Sequence, residues 1–435
     1  MVSQNKASSC ACAFPSTATI SHDATSVPPA YADIYHKSDA LSTISTTVDE
    51  LSDSLRKVSL QMHGNPEIRW EEHKTMKLLS DFMEKQGWKV KRGAYGVETG
   101  FEAVFQHGQG GKVIGFNSEE DALPGIGHAC GHNLIAIAGI GAALATAKAL
   151  QEHNVAGKVI LLGTPAEEGD GGKIVMLKNG GYKEMGVCLM AHPTPFTGLA
   201  PMLAVSECIV DFYGHNAHAA GAPWEGVNAQ DAAVMAYNGI SLLRQQVHPN
   251  ARIHGIIQGS EEWVCNIIPA HARMQWGVRH PDQAEVVKLK ERIEHCFEAA
   301  AKATGCTYKV KWIMQYLDMR NNGTLASEYK RYMESEQKTH MPVSNDAFGS
   351  TDFGDVTYAL PGLHPMFAIP VGPGEGNHTP GFAKAAATEE AHKNTLKVMK
   401  GLAATAWRVA TDEEFAKAAR DEYEQHRKPK ASMYK

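Results

Sequence analysis

The order of apolar segments along the chain is the feature that most restricts its fold. Amphipathic helical spacing over residues 43–85 is followed by short apolar or β-branched runs with a helical stretch at 134–151 among them. Strands that alternate with helices predict a mostly parallel α/β sheet with helices on both faces. The predicted strands of this sheet are residues 103–105, 113–116, 159–164 and 187–191.

A different order of elements begins near residue 202. The pattern predicts a strand, a helix, two strands, a helix and a strand, at 207–213, 229–246, 252–258, 273–279, 282–304 and 308–315. This βαββαβ order is typical of the ferredoxin-like split unit. We therefore predict an inserted α+β domain at 202–316. It interrupts a first domain formed by 31–201 and 317–435, which closes with a final helix at 389–408.

Composition excludes several classes of protein. A net charge of −6 without a basic stripe argues against nucleic acid as a partner and favours a small-molecule substrate. We see no apolar segment long enough to span a membrane, so we expect no membrane association.

The segment 1–30 lacks a basic start and an apolar core, which predicts a disordered tail, with a transit peptide as the alternative. The eight cysteines lack disulfide-framework spacing, which indicates a reducing, cytoplasmic location.

The densest group of reactive residues lies between a predicted strand and a predicted helix, from Asp121 to Asn133. Open α/β sheets place their sites at this end of a strand. Within the group, Cys130 and His132 are separated by a glycine that allows a tight turn, so both side chains could bind one metal site. Cysteine and histidine in a glycine-rich turn also occur together by chance, and the pair alone leaves both interpretations open.

Two adjacent carboxylates follow the next strand. Glu167 and Glu168 repel each other, and that cost is easiest to explain if a cation binds one carboxylate while catalysis uses the other. The alternative is a solvated acidic loop. His192 follows a further strand, and His378 lies in a loop rich in glycine and proline. Together these positions supply a thiolate, a carboxylate and three imidazoles, a set of ligands that suits a pair of metal ions.

The runs at 120–133 and 349–356 resemble the aminoacylase, hippurate hydrolase and auxin-conjugate amidohydrolase metallopeptidase family, nearest its branch of p-aminobenzoyl-glutamate hydrolase and β-alanyl-lysine dipeptidases. The resemblance extends over nearly all of the chain after residue 40. It implies a zinc-peptidase-like catalytic domain, an inserted dimerisation (lid) domain and a homodimer. It also implies a metal-dependent amidohydrolase that cleaves an N-acyl amino acid or a small dipeptide-like amide.

Carried over by position, the resemblance assigns roles to individual residues. It implies that Glu167 is the general acid/base acting on a metal-activated water, and that Asp121 supports the metal site from behind. Two residues before Asp121, many relatives have a metal-binding His or an Asp. This chain has Glu119 there, and whether Glu119 contacts a metal is left open. Two divalent ions, Zn²⁺ or Mn²⁺, would be held by Cys130, His132, Glu168, His192 and His378.

The inserted domain contributes a second set of residues to the resemblance. His218 matches a histidine that reaches into the active site of the partner subunit, where it would take part in catalysis. Asn266 and Arg279 match a pair that recognises the polar or carboxylate end of the substrate. The guanidinium of an arginine suits that role because it binds a carboxylate through two parallel hydrogen bonds. A surface histidine and an ordinary strand arginine are the alternatives.

Two other functions are compatible with the same residues. The fold could serve amide formation or acyl transfer in a biosynthetic pathway, because a pocket that excludes water lets an amine meet the carbonyl instead. A non-catalytic homologue that binds metal or ligand is the second alternative. It would be favoured if Glu167 or several ligands were missing, and all are present.

Overall fold

The computed structural model describes residues 39–259 and 263–427, and the predicted tail at 1–30 lies outside them. The helices are α1 Asp39–Gly64, α2 His73–Lys85, α3 His132–Glu152, α4 Gly172–Lys178, α5 Ala229–Leu243, α6 Gln283–Thr304, α7 Gly323–Ser335, α8 Phe353–Thr357, α9 Pro380–Ala385, α10 Glu389–Thr411 and α11 Glu413–Arg427. The strands are β1 Lys89–Arg92, β2 Phe101–His107, β3 Lys112–Glu119, β4 Gly157–Thr164, β5 Val187–Leu189, β6 His192–Thr194, β7 Ala204–Tyr213, β8 Arg252–Gln258, β9 His271–His280, β10 Thr307–Tyr316, β11 Gly362–Leu363 and β12 Met366–Ala368.

A six-stranded sheet in the order β1-β2-β4-β3-β5-β11 forms the centre of the first domain. The strands β4, β3, β5 and β11 are parallel to one another, whereas β2 pairs antiparallel with both of its neighbours, β4 and β1. The sheet is therefore mixed with mostly parallel pairing, as predicted. Because β3, β4 and β5 run in the same direction, the residues that follow them meet at one edge of the sheet.

Helix α3 is the central helix of this domain, and it corrects the expectation that no segment is apolar enough to cross a membrane. By length and composition α3 meets that requirement. However, nearly all of this helix is buried inside the protein. The helix packs against α1, α10 and β3, which explains its apolar character on all sides.

The inserted domain has a sheet and an apolar core of its own. Its four strands are all antiparallel, in the order β10-β7-β9-β8, and α5 and α6 pack together and against β7 and β9. The predicted βαββαβ order is confirmed. The predicted helix at 229–246 becomes a 3₁₀ turn after Leu243. Phe212, Trp276 and Phe297 are fully buried at the centre of this core.

After β10 the chain returns to the first domain, where β11 pairs with β5 and β12 pairs with β6. The prediction that 389–408 forms the final helix was wrong in one respect, because a further helix, α11, follows α10. Asp412 separates the two, since its backbone is extended (φ −111°, ψ 100°) and its carboxylate accepts a hydrogen bond from the Phe415 amide at 2.9 Å. The aspartate thereby ends one helix and caps the next.

Candidate metal centre

The edge of the sheet where β3, β4 and β5 end carries the residues of the candidate site. Glu119 is the last residue of β3, Glu167 and Glu168 follow β4, and His192 follows β5. His132 is the first residue of α3. The alternation of strands and helices thus delivers side chains from distant parts of the sequence to one place.

The turn between Cys130 and His132 depends on Gly131. This glycine precedes α3 in the left-handed conformation with φ +78°, which is rarely adopted by residues that carry a Cβ. A Cβ at this position would also collide with the ring of Pro193. The glycine therefore allows both the thiol and the imidazole to face the same side of the turn.

All five predicted metal ligands come together in two groups that share Cys130. One group consists of Cys130, His132 and His192, and the other of Cys130, Glu168 and His378; in each, the ligand atoms lie within 4.8 Å of one another. The Cys130 Sγ atom lies 3.5 Å from His192 Nε2, and Glu168 Oε1 lies 3.3 Å from His378 Nε2. Cys130 is therefore the residue through which the two candidate ligand groups are connected.

Asp121 orients the His132 ring, as expected for a residue that supports a ligand from behind. Its Oδ1 lies 3.2 Å from His132 Nδ1, and its Oδ2 accepts a hydrogen bond from the Glu168 amide at 2.9 Å. Burial opposes ionisation of Asp121, but the charge and hydrogen bond of His132 outweigh it and lower the pKa of this carboxyl. The contact with Asp121 occupies Nδ1, so Nε2 is the ring nitrogen that faces the other candidate ligands.

Glu167 is buried beside this cluster. Its Oε2 lies 3.9 Å from His132 Nε2, and its backbone oxygen accepts a hydrogen bond from Tyr316 at 2.9 Å. Burial, followed by the charges of Glu119 and Glu168, raises the pKa of Glu167 well above that of an ordinary glutamate. A carboxyl with a raised pKa beside a candidate metal site is suited to exchange protons during a reaction.

The polar atoms of this cluster fit divalent cations. Three of them are buried without a hydrogen-bond partner among the described residues, namely Glu119 Oε2, His132 Nε2 and Glu168 Oε1. Such atoms are costly to bury unless something satisfies them. Burial and then the charge of Glu168 raise the pKa of the Cys130 thiol, and a bound cation would oppose this effect by stabilising the thiolate.

The residues predicted to contact substrate lie in the inserted domain and outside the two ligand groups. His218 is exposed, and its Nδ1 accepts hydrogen bonds from the amides of Ala220 and Gly221. The Ala219 amide donates to the backbone oxygen of Asn266, so the segments carrying His218 and Asn266 are neighbours. Arg279 instead contacts the first domain, where its Nη1 lies 3.1 Å from Ser350 Oγ.

Sequence reasoning missed two residues next to the cluster. Lys173 and Asp352 are fully buried, and Lys173 forms ion pairs with both Asp352 and Glu119. Asp352 lies within the run at 349–356 that resembles relatives, but the sequence suggests no role for it there. No sequence signal distinguishes Lys173, because a lysine in the first turn of a helix is most often solvated.

Comparison with known proteins identifies the family. A model of the peptidase dimerisation domain matches residues 205–305, within the inserted domain. The chain is 38% identical over 399 residues to the Xaa-Arg dipeptidase of Homo sapiens. The aligned region covers 86% of this chain and 90% of that protein. The chain belongs to the M20 peptidase family. Membership confirms the predicted resemblance and the prediction of a hydrolase that acts on carbon–nitrogen bonds.

Other M20 relatives and solved structures agree with this assignment. One subunit of the p-aminobenzoyl-glutamate hydrolase of Escherichia coli is 27% identical over 442 residues, which cover 84% of this chain and 91% of that protein. A putative aminohydrolase from methicillin-resistant Staphylococcus aureus has the same fold, with a TM-score of 0.70 over 85% of this chain and all of that one, at 18% identity. A Bacillus subtilis protein described as a dinuclear metal-binding peptidase of the M20 family superposes with a TM-score of 0.62 at 19% identity, covering 83% of this chain and 99% of that one. The predicted catalytic domain with an inserted dimerisation domain is thereby confirmed.

Proposed function

We propose that this M20 protein is a homodimeric, two-metal dipeptidase that hydrolyses the amide bond of small dipeptide-like substrates. The observation that carries the proposal is the pair of ligand groups that share Cys130, with the buried carboxyl of Glu167 beside them. The name of the Xaa-Arg dipeptidase, 38% identical to this chain, supports a dipeptide with a C-terminal basic residue as the substrate. N-acyl amino acids and p-aminobenzoyl-glutamate also contain an amide bond of this kind, and they are the alternative substrates.

The residues of the site divide the work of hydrolysis. Cys130, His132 and His192 would hold one ion, and Cys130, Glu168 and His378 the other. The Cys130 sulfur favours Zn²⁺, whereas the mixture of imidazole and carboxylate also suits Mn²⁺. When bound, such a pair of ions supplies Lewis-acid activation of water near neutral pH.

Side chains of the protein transfer the protons and bind the substrate. Glu167 takes the proton of the attacking water and returns it to the leaving amine, so that one carboxyl acts first as a base and then as an acid. Arg279 would bind the substrate carboxylate through its planar guanidinium, with Asn266 adding a polar contact. His218 from the second subunit would donate a hydrogen bond to the carbonyl oxygen as negative charge develops there.

A substrate screen tests the proposed specificity. The purified protein, supplied with Zn²⁺ or Mn²⁺, is assayed for amine release from Xaa-Arg and Xaa-Lys dipeptides, β-alanyl dipeptides, N-acetyl amino acids and p-aminobenzoyl-glutamate. We expect the highest kcat/KM on a dipeptide with a basic C-terminal residue. Preference for an N-acetyl amino acid or for p-aminobenzoyl-glutamate would contradict the specificity. The absence of hydrolysis of every substrate would contradict the function itself.

Mixed dimers test whether His218 acts across the subunit interface. Each variant alone is expected to lose most activity. Glu167→Gln removes a general acid/base, which contributes about 10²–10⁴ in rate. His218→Ala removes a donor to the developing oxyanion, which costs about 10²–10³ in kcat. After the two variants are mixed and allowed to exchange subunits, hybrid dimers contain one site with both Glu167 and His218 intact. If the subunits pair at random, half of the dimers are hybrids, and each hybrid has one intact site of two. We therefore expect about a quarter of the wild-type activity. Mixtures that stay as inactive as the separate variants, despite proven exchange, would mean that His218 serves its own subunit.

A further inference from the structure

A lysine with no exposure to solvent lies beneath the metal centre. Lys173 Nζ is 2.7 Å from Glu119 Oε1 and 2.5 Å from Asp352 Oδ1, and its backbone amide donates to Asp352 Oδ2 at 2.9 Å. All three side chains are fully buried. A buried ammonium is costly unless it is paired with charges and hydrogen-bonded, and here both carboxylates satisfy it. The network therefore fixes Glu119 in one position.

The two oxygens of Glu119 have different surroundings. Oε1 accepts from Lys173, whereas Oε2 is buried, has no hydrogen-bond partner among the described residues and lies 3.4 Å from His132 Nε2. His132 Nδ1 lies beside Asp121, so Nε2, on the other side of the ring, faces the Glu119 carboxylate. A ring nitrogen and a carboxylate oxygen placed this close together need a proton or a cation between them.

The ligand atoms around Glu119 are close enough together to bind one cation. The Glu119, His132 and Glu167 ligand atoms lie within 4.8 Å of one another. The backbone of Glu119 is fixed, since it is the last residue of β3 and pairs in register with Thr164 of β4. A rigid strand end and an ion-paired oxygen leave the second carboxylate oxygen directed at His132.

We propose that Glu119 is a further metal ligand, giving Oε2 to the ion held by His132, and that Lys173, fixed by Asp352, is the positioning residue that holds Glu119 in place. This inference rests on the proposed two-metal function. It would add a carboxylate oxygen to the sulfur and imidazole ligands of that ion. Oxygen ligands favour Mn²⁺ relative to a site of sulfur and nitrogen alone, so Glu119 would also broaden the choice of metal.

The Glu119→Gln variant tests the ligand. It preserves size and removes the charge. Binding of Zn²⁺ to the metal-free protein is measured by competition with a chromophoric chelator, and the visible absorption of the Co²⁺-substituted protein reports the coordination of each ion. We expect one of two ions to bind about 10–100-fold more weakly, with a changed Co²⁺ spectrum, while the other binds as in the wild type.

Glu120→Gln is the matched control. Glu120 is the next residue, is equally buried and lies outside the ligand groups. Burial, and then the charge of Glu72, raises the pKa of Glu120 well above its usual value. Replacement by glutamine keeps the size of this side chain, as it does at Glu119. This variant is expected to keep wild-type affinities and the wild-type Co²⁺ spectrum. Wild-type behaviour of Glu119→Gln as well would overturn the inference.

The charge-balanced double variant Lys173→Met/Asp352→Asn tests the positioning role. It removes one positive and one negative charge and keeps the Glu119 carboxylate, so a loss of affinity reports its placement. We expect the same single ion to bind about 10-fold or more weakly, in the range typical for residues that orient ligands. Asp352→Asn alone retains the Lys173–Glu119 pair and provides a milder second variant, for which we expect a smaller loss at the same site. Circular dichroism identifies the folded variants, and a folded variant of either kind with wild-type affinities and spectrum would overturn the positioning role.

The outcomes also separate this inference from the function on which it rests. A wild-type protein that binds no divalent ion would contradict the proposed function. A wild-type protein that binds two ions and hydrolyses dipeptides, together with an unaffected Glu119→Gln variant, would overturn only the role of Glu119.

Discussion

We expect the Glu167→Gln variant to lose about 10²–10⁴-fold in kcat, the range that a positioned general acid/base contributes. The substitution keeps the size of the side chain and leaves Cys130, His132, Glu168, His192 and His378 in place. It removes the group that accepts a proton from water and returns it to the leaving amine. The measurement is steady-state turnover of the best dipeptide, together with the metal content of the same sample. We expect two ions per subunit to remain bound.

Asp170→Asn is the control for this variant. Asp170 lies in the same loop, three residues after Glu167, but its carboxylate is about half exposed and hydrogen-bonds to Trp70. Its replacement removes a negative charge near the site without removing a proton carrier, and we expect kcat to stay within a few-fold of the wild type. An active Glu167→Gln enzyme would exclude Glu167 as the acid/base.

Removal of metal is expected to abolish hydrolysis. Dialysis against a strong chelator leaves the cluster of buried carboxylates, thiol and imidazoles without cations, and the ions that would activate water are lost. Addition of Zn²⁺ or Mn²⁺ in excess should restore turnover. Activity that persists after complete metal removal, verified by elemental analysis, would contradict the two-metal account.

Metal removal is also expected to change stability. An ion that binds only the folded chain stabilises it by about 2.7 kcal/mol at a concentration 100 times its dissociation constant. The Tm of the metal-free protein should therefore rise as Zn²⁺ is added, whereas Mg²⁺, which prefers oxygen ligands, serves as the control and should have a smaller effect.

The fold was largely predictable because its signals are local. The alternation of strands and helices gave the parallel part of the main sheet, and the change to a βαββαβ order marked the inserted domain. The further helix α11 was missed because the break at Asp412 is a single residue within a continuous amphipathic pattern. The character of α3 was misjudged for a related reason, since apolar residues on every side of a helix are equally consistent with a protein core and with a membrane.

The metal ligands were predictable because they are chemically distinctive and follow strands. Cys130, Glu168 and His192 each come from a different strand end, and a parallel sheet brings such ends together. Lys173 was not predictable, because its role depends on Asp352, which lies 179 residues away in the chain. The partners of Glu119 could therefore be identified only from the structure, and the contribution of His218 depends on a second subunit.

The most direct test of the account is a crystal structure of the metal-loaded protein, with anomalous diffraction recorded at the absorption edge of the bound metal. The account predicts two anomalous peaks in each subunit, roughly 3.5–4 Å apart, the usual separation in two-metal hydrolases. The Cys130 sulfur should lie between them, with Glu167 beside the pair. A single peak, or two peaks that do not share Cys130, would contradict the two-metal centre.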